Sequence, residues 1–392
     1  MKNVGVISVM STMRGLGFSS IWIYSALYLR TVLGLSILQD GLIITLGSSI
    51  AAVVQVYGGI LSDRFGYKRT IIVSVVAATL LYLLLITDSA TRNSTLLYPL
   101  VFVVLMVANS AQAPAANAIV SHSSDVKLKG FSILRIGNNI GWGIGPAIGG
   151  LLISVSGFYY LFMFGFISSV LSMAFALLIT DVRPSGIASV RFHAGNRLLI
   201  ILSFVALLLF IVQAQETITL SNYAKIINGL NYFDIGLIYL TNGLVVILTQ
   251  GIVYRASRKI GNYYSFIIGT FLYSFGFFSF AFFSGLNGMI LATVILTFGE
   301  DFAFPAGLAM VSLISKPENI GRNMGTYNAF ISAGRAIGPL LGGYVLSFTS
   351  SPVVIWGLTT TSGFISILIF AGTFRGKGSI QEQATPAALA KN

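Results

Sequence analysis

The stretch Gly141-Trp142-Gly143-Ile144-Gly145-Pro146-Ala147-Ile148-Gly149-Gly150 returns later in the chain as Gly334-Arg335-Ala336-Ile337-Gly338-Pro339-Leu340-Leu341-Gly342-Gly343. Both read G-x3-G-P-x2-G-G, and they lie 193 residues apart. At that offset Lys129-Gly130 also meets Arg322-Asn323, and Gly58 meets Gly251. A match of this length at one offset predicts a duplicated unit. Gly137, Gly141, Gly145 and Gly149 recur every fourth residue, as do Gly334, Gly338 and Gly342, so each run is a bare stripe along one face of a helix. Bare stripes let helix backbones approach closely in lipid, which makes these glycines packing residues. Pro146 removes a backbone donor and can kink its helix, and Pro339 stands with the packing residues of the second run.

Working outward, the 392 residues are 55% hydrophobic with a mean hydropathy of +0.88, and only 9% are charged. Soluble domains carry roughly 25% charge, so this chain cannot cover a water-facing surface of its size. A spanning helix needs roughly 20 apolar residues. Twelve segments qualify, at about 5–30, 41–61, 70–88, 97–120, 131–154, 158–180, 198–221, 234–254, 264–284, 288–314, 324–347 and 352–374. The expected fold is an all-α membrane protein of twelve transmembrane helices, arranged as two pseudo-symmetric six-helix bundles. Residues 1–181 form the first bundle, 182–197 a polar cytoplasmic linker, 198–375 the second bundle and 376–392 a disordered tail. The first apolar stretch, Val4 to Leu33, is too long for the apolar core of a signal peptide and reads as span 1.

Cysteine is absent, and His122 and His193 both fall in polar connectors, so no metal centre or cofactor is expected. Enzyme classes that need such groups fall away, as does ATP-driven pumping, because no G-x4-G-K-[ST] loop occurs. The net charge of +12 has a topological reading. Seventeen Lys and Arg lie on the side of the termini, and only Arg30, Arg92 and Lys225 lie on the other. By the positive-inside rule both termini are cytoplasmic in a multi-pass cell-membrane protein, and nucleic acid is not an expected partner.

The remaining cations, Arg14, Arg135 and Arg335, lie within spans, matched by the acids Glu216, Glu300 and Asp301. A charge at mid-membrane costs at least about 2.5–3.5 kcal/mol, so such residues face a cavity or a partner. Arg135, Asn139 and Trp142 form a stripe nearly opposite the glycines of span 5. With Asn109 and Gln112 in span 4 and Asn328 in span 11, these make the candidate substrate or proton pathway. A desolvated carboxyl here can titrate during transport; a fixed ion pair with Arg135 or Arg335 is the alternative. Pro114 and Pro305 are read as interruptions of spans 4 and 10, pointing to a central site. Asp40, at the outer edge of span 2, is expected to be solvated.

The loop after span 2 reads Gly59-Ile60-Leu61-Ser62-Asp63-Arg64-Phe65-Gly66-Tyr67-Lys68-Arg69. Gly59 permits close helix contact, Gly66 allows a sharp turn, and Asp63 can accept from a helix N-terminus. This loop resembles the signature G-x3-D-R-x-G-x-K-R of the major facilitator superfamily. The run 137–150 resembles the fifth-span motif of that superfamily's drug:proton antiporters. Span 4 departs from those exporters in having no arginine. The resemblance implies a latch in which Asp63 and Arg64 make contacts in the outward-open state and release them in the inward-open one. Arg64, Lys68 and Arg69 also serve topology. The second half's counterpart, Gly251 to Gly261, lacks the aspartate. The implied activity is secondary active transport of a small organic substrate by a monomer, through alternating access, with proton-coupled export leading. Proton-coupled uptake of a metabolite such as a sugar or organic acid follows, with a non-transporting sensor as the remote alternative.

Overall fold

The computed structural model describes residues 2–123, 127–182, 197–315 and 320–375, and among these no strand occurs. The expected linker, but for its first and last residues, and the expected disordered tail lie outside the described residues. Long apolar helices run over Lys2–Thr31, Ile37–Phe65, Tyr67–Thr87, Leu97–Ser123, Lys127–Ser156 and Phe158–Leu177 in the first half. The second half holds Arg197–Gln213, Tyr232–Ser279, Gly285–Leu313, Ile320–Phe348 and Pro352–Phe374. Among the described residues, eleven helices are long and apolar enough to cross a membrane. Tyr232–Ser279 has 48 residues, which at about 1.5 Å each would run about 72 Å, far beyond a core of roughly 30 Å. It is broken at Gly261, whose φ of 81° and ψ of 163° are not helical. That glycine turns the chain between spans 8 and 9, giving twelve spans.

Gly66, at φ 95° and ψ 139°, turns the chain between spans 2 and 3 in the same way. Gly34 and Gly229, at φ 70° and 67°, follow spans 1 and 7. Both pairs are 195 residues apart. The duplication is therefore visible in backbone conformation, with an offset of 195 through the first spans of each half and 193 at the glycine stripes. Gly58 and Gly251 are not counterparts in this register; Asp63 falls opposite Arg258.

Prolines do not interrupt spans 4 and 10. Leu97–Ser123 runs through Pro114, and Gly285–Leu313 runs through Pro305. One missing donor removes one hydrogen bond, which membrane helices tolerate. The interruption lies in span 7 instead. After Arg197–Gln213 the chain tightens into a 3-10 turn at Ala214–Glu216, resumes at Thr219–Asn222 and widens to a π turn at Tyr223–Ile227.

Loop ends are capped locally. Ser36 and Gln39 exchange side-chain and backbone bonds at the start of span 2. Asp88 accepts from Thr91 and from the backbone of Ala90 and Thr91, and the Thr91 hydroxyl leads in holding its carboxyl below the usual carboxylate range.

By density of contacts the chain forms two compact units. Unit 1 comprises Met1–Val190 together with Glu216–Gly243 and Gly342–Ser347; unit 2 comprises Arg191–Gln215, Leu244–Leu341 and Phe348–Asn392. Unit 1 has an apolar cluster near the terminal end, including Ile7, Met10, Ile71, Ile119 and Leu134. Its opposite end is closed by rings, with Tyr28 4.5 Å from Tyr98, 5.0 Å from Phe158 and 5.2 Å from Phe162. In unit 2 the aromatic run of span 9 splits by face: Tyr273, Phe277 and Phe280 are buried, while Phe271, Phe275 and Phe282 are exposed.

Candidate functional site

Span 5 lies on span 1 through its glycines. A Cβ on Gly137 would stand 2.6 Å from the Ser8 carbonyl, on Gly141 2.8 Å from that of Thr12, and on Gly145 2.6 Å from that of Leu16. Gly149 meets Ser20. Ser19 Oγ donates to the Gly141 carbonyl at 3.0 Å, and Tyr24 Oη donates to that of Pro146 at 3.0 Å. The other side of span 5 is open: Arg135 is exposed, Asn139 half-buried and Trp142 41% exposed, its ring set edge-on to Phe18.

Span 11 repeats the arrangement on span 7. Gly334 faces the Leu207 carbonyl, and a Cβ on Gly338 would stand 2.8 Å from that of Ile211. Pro339 and Gly342 are buried within the same helix. On its other face Asn328 is exposed, and so is Arg335. Arg335 Nε donates to Gln213 Oε1 at 3.1 Å, and its guanidinium lies 4.9 Å from the centre of the Phe210 ring.

The break in span 7 has its own polar support. Gln215 Nε2 donates to the Ile211 carbonyl at 2.8 Å and to the Gly338 carbonyl at 3.1 Å. Tyr239 Oη donates to the Glu216 carbonyl. Backbone groups freed in a membrane must be satisfied internally, and these side chains do it. Glu216 is half-buried at that turn, and Glu300 is half-buried in span 10. Asp301 is 7% exposed and accepts from Thr249 Oγ1 at 2.7 Å.

Arg14 belongs to a separate cluster inside unit 1. Its Nη1 donates to the Asn109 carbonyl at 3.1 Å and its Nη2 to Asn138 Oδ1 at 3.5 Å. Asn109 and Gln112 are buried, and Gln112 Oε1 and Tyr82 Oη have no hydrogen-bond partner among the described residues. Between them is a cavity of about 10 Å³, lined also by Ser169 and Ser172, close to the minimum for one water. Within unit 1, Arg14, Asn109 and Gln112 are thus gathered at this cavity, whose lining includes none of Arg135, Asn139 and Trp142 of span 5.

At the signature loop Gly59 and the Asp63 side chain lie outside the described residues, although the backbone at 63 is the last turn of a helix. Arg64 is exposed, its guanidinium 5.8 Å from the Phe65 ring centre. Gly66 donates its N–H to the Ser62 carbonyl. Lys68 Nζ donates to the Leu177 carbonyl at 3.0 Å, and Arg69 is exposed.

At the end of unit 1 away from the termini, segments of the second half close on the first. A Cβ on Gly243 would stand 2.8 Å from Gly143 Cα, and one on Gly236 2.7 Å from the Pro146 carbonyl. Tyr24 Oη also donates to the Tyr232 carbonyl at 2.8 Å. A Cβ on Gly343 would stand 2.8 Å from the Ile37 carbonyl and 3.2 Å from Gly41 Cα. Sequence reasoning missed Gln215, Tyr239 and Thr249, for which a polar side chain within an apolar span is the available signal. It also misplaced Asp40: this residue is 0% exposed, because the start of span 2 is covered by its neighbours rather than by water.

The profile described as Major Facilitator Superfamily matches residues 7–262 and 202–390. The chain belongs to this superfamily. As a member it is a secondary transporter and a multi-pass membrane protein, not an enzyme. It is similar to the uncharacterized MFS-type transporter YttB of Bacillus subtilis (strain 168), with 26% identity over 84% of this chain and 85% of that one. The uncharacterized MFS-type transporter YdeE of Escherichia coli (strain K12) is 25% identical over 88% and 89%. Among solved structures, a POT family transporter in complex with a thioalcohol-conjugated peptide aligns with TM-score 0.79 at 16% identity, over 97% of this chain and 96% of that one. The nucleoside transporter NupG aligns with TM-score 0.76 at 15% identity, over 96% and 100%. These likenesses establish the fold.

Proposed function

We propose that this transporter exports a small amphipathic organic molecule across the cytoplasmic membrane in exchange for protons, working as a monomer with both termini cytoplasmic. The repeat-based bundles, 1–181 and 198–375, are the bodies that alternate, joined by 182–197, with Asp63 and Arg64 as the cytoplasmic latch between them. The observation that carries the coupling reading is the break in span 7. An otherwise apolar helix gives up its regular bonding at Ala214–Glu216, where its only acid sits. Discontinuous helices in transporters bring ionisable groups and backbone to the site of coupling.

Two features support export. The glycine face of span 5 packs on span 1 in the manner expected of the antiporter-like motif, leaving Trp142 and Arg135 on an open amphipathic face. The arginine missing from span 4 has a stand-in, since Arg14 reaches that helix at Asn109. The amides Asn109 and Gln112 favour the second reading, proton-coupled uptake of a polar metabolite.

The test uses proteoliposomes holding a pH-sensitive dye and an imposed pH gradient, exposed in turn to a library of amphipathic compounds and metabolites. The reading expects some compounds to release protons in one direction and their own gradients to drive protons in return. Compounds that cross unaffected by the pH gradient would refute coupling; protons moving with the compound in the same direction would favour uptake.

A further inference from the structure

Asp40 stands in the first turn of span 2, four residues past its cap Ser36. It is 0% exposed, and neither carboxylate oxygen has a hydrogen-bond partner among the described residues. Its backbone N–H is spent on the Ser36 carbonyl at 3.0 Å. A carboxylate removed from water with no donor on either oxygen is far costlier than the neutral acid. The cover over this turn includes the end of span 11, where Gly343 comes so close that an added Cβ would stand 2.8 Å from the Ile37 carbonyl and 3.2 Å from Gly41 Cα. The burial and the close approach fall on the same helical turn of span 2.

We propose that Asp40 is a proton-binding site loaded when the outer ends of spans 2 and 11 close. When those ends part, water reaches the carboxylate and the proton leaves to it; when they meet, the carboxylate takes a proton from that water before it is sealed. Closing the outer gate thus consumes one proton, and alkaline conditions favour its opening. This rests on the alternating-access reading and its orientation, but not on the substrate or on Glu216.

The charged surroundings are sparse. Arg30 stands in the last turn of span 1. The covering segment Gly342–Ser347 brings only Tyr344, whose side chain is 57% exposed. Spans 3 and 4 also pack on span 2. At the outer end of span 3, Asp88 is engaged in its cap, and Arg92 Nη1 donates to the Leu85 carbonyl. Lys68, Arg69 and His122 lie at the opposite ends of those helices. Tyr98, at the start of span 4, is 3.5 Å from Ser25 through its hydroxyl.

The native chain has no cysteine, so a spin-label pair goes only where it is placed. Leu42→Cys and Tyr344→Cys replace exposed side chains next to the Gly41–Gly343 contact. Their distance, read by pulsed electron resonance in nanodiscs across a titration from acid to alkaline pH, should convert from short to long. One linked proton moves the closed-to-open ratio by up to about tenfold per pH unit. Asp40→Asn should stay short throughout, whereas Asp40→Glu should still titrate. A pair distance unmoved by pH in the native sequence, or a pH response that survives in Asp40→Asn, would overturn the proposal. Failure of proton-coupled transport is read separately in the vesicle assay and leaves this titration standing.

Discussion

Spans 1 and 5 pack through the same backbone geometry as spans 7 and 11, yet only the first pair is built from two continuous helices. In the first pair the carbonyls of Thr12 and Leu16 face Gly141 and Gly145; in the second those of Leu207 and Ile211 face Gly334 and Gly338. The register is 195 on one helix and 193 on the other, so the contacts are true counterparts. At the next position the halves part. Ser19 holds the Gly141 carbonyl with its hydroxyl, while its counterpart Ala214 has none. Gln215 takes over with a longer arm, bonding Ile211 and Gly338 carbonyls at once, and the helix tightens into a 3-10 turn that places Glu216 at the break. A duplicated scaffold has kept its packing and released one helix for bending. Mid-helix 3-10 turns are frequent at functional hinges.

The comparison can be broken most strongly at the acid. Glu216→Gln should leave the fold intact and cut proton-coupled transport by at least about tenfold, the loss of one essential proton carrier; full coupled activity in vesicles would remove Glu216 from the mechanism. The shared scaffold comes next. Gly141→Val would press a side chain into the Thr12 carbonyl and Gly15, neither of which can turn aside, and overpacking of this kind costs about 1–3 kcal/mol or more. Thermal unfolding in detergent should show it. Unchanged melting would mean that span 5 is not seated as described.

Gln215→Leu and Ser19→Ala sharpen the difference between the halves. The first leaves two buried carbonyls without their amide donor and should cost about 1–3 kcal/mol; the second removes one bond and should cost about 1 kcal/mol. Equal losses would argue against a special role for the amide. Tyr239→Phe frees the Glu216 carbonyl and, as the loss of one bond, should cost about as much as Ser19→Ala, about 0.5–1.5 kcal/mol in thermal unfolding, with a larger effect on transport than on melting.

Much of this was legible in the residues. Glycines at every fourth position can pack only one way on a helix, and twelve apolar runs of membrane length leave little choice of architecture. The turn glycines were half legible: Gly66 stands in a recognisable loop and Gly261 ends the stretch read as its counterpart, but the pairing of the two at an offset of 195 shows only in their backbone angles. The break in span 7 was not legible, because Ala214-Gln215-Glu216-Thr217-Ile218 contains no proline or glycine. It depends on a side-chain amide capturing carbonyls on two helices. The burial of Asp40 was hidden for a related reason: it depends on the packed fold, in which Gly343 of span 11 closes on the flanking Ile37 and Gly41, and a sequence alone does not say whether a span end is wet or dry.

Hydrogen–deuterium exchange of the native protein in nanodiscs tests the asymmetry directly, comparing peptides that cover 19–23 in span 1 with those that cover 214–218 in span 7. The account predicts roughly tenfold or faster exchange in span 7, the mark of an opening lower in free energy by about 1.4 kcal/mol or more. Equal protection of the two segments would contradict it.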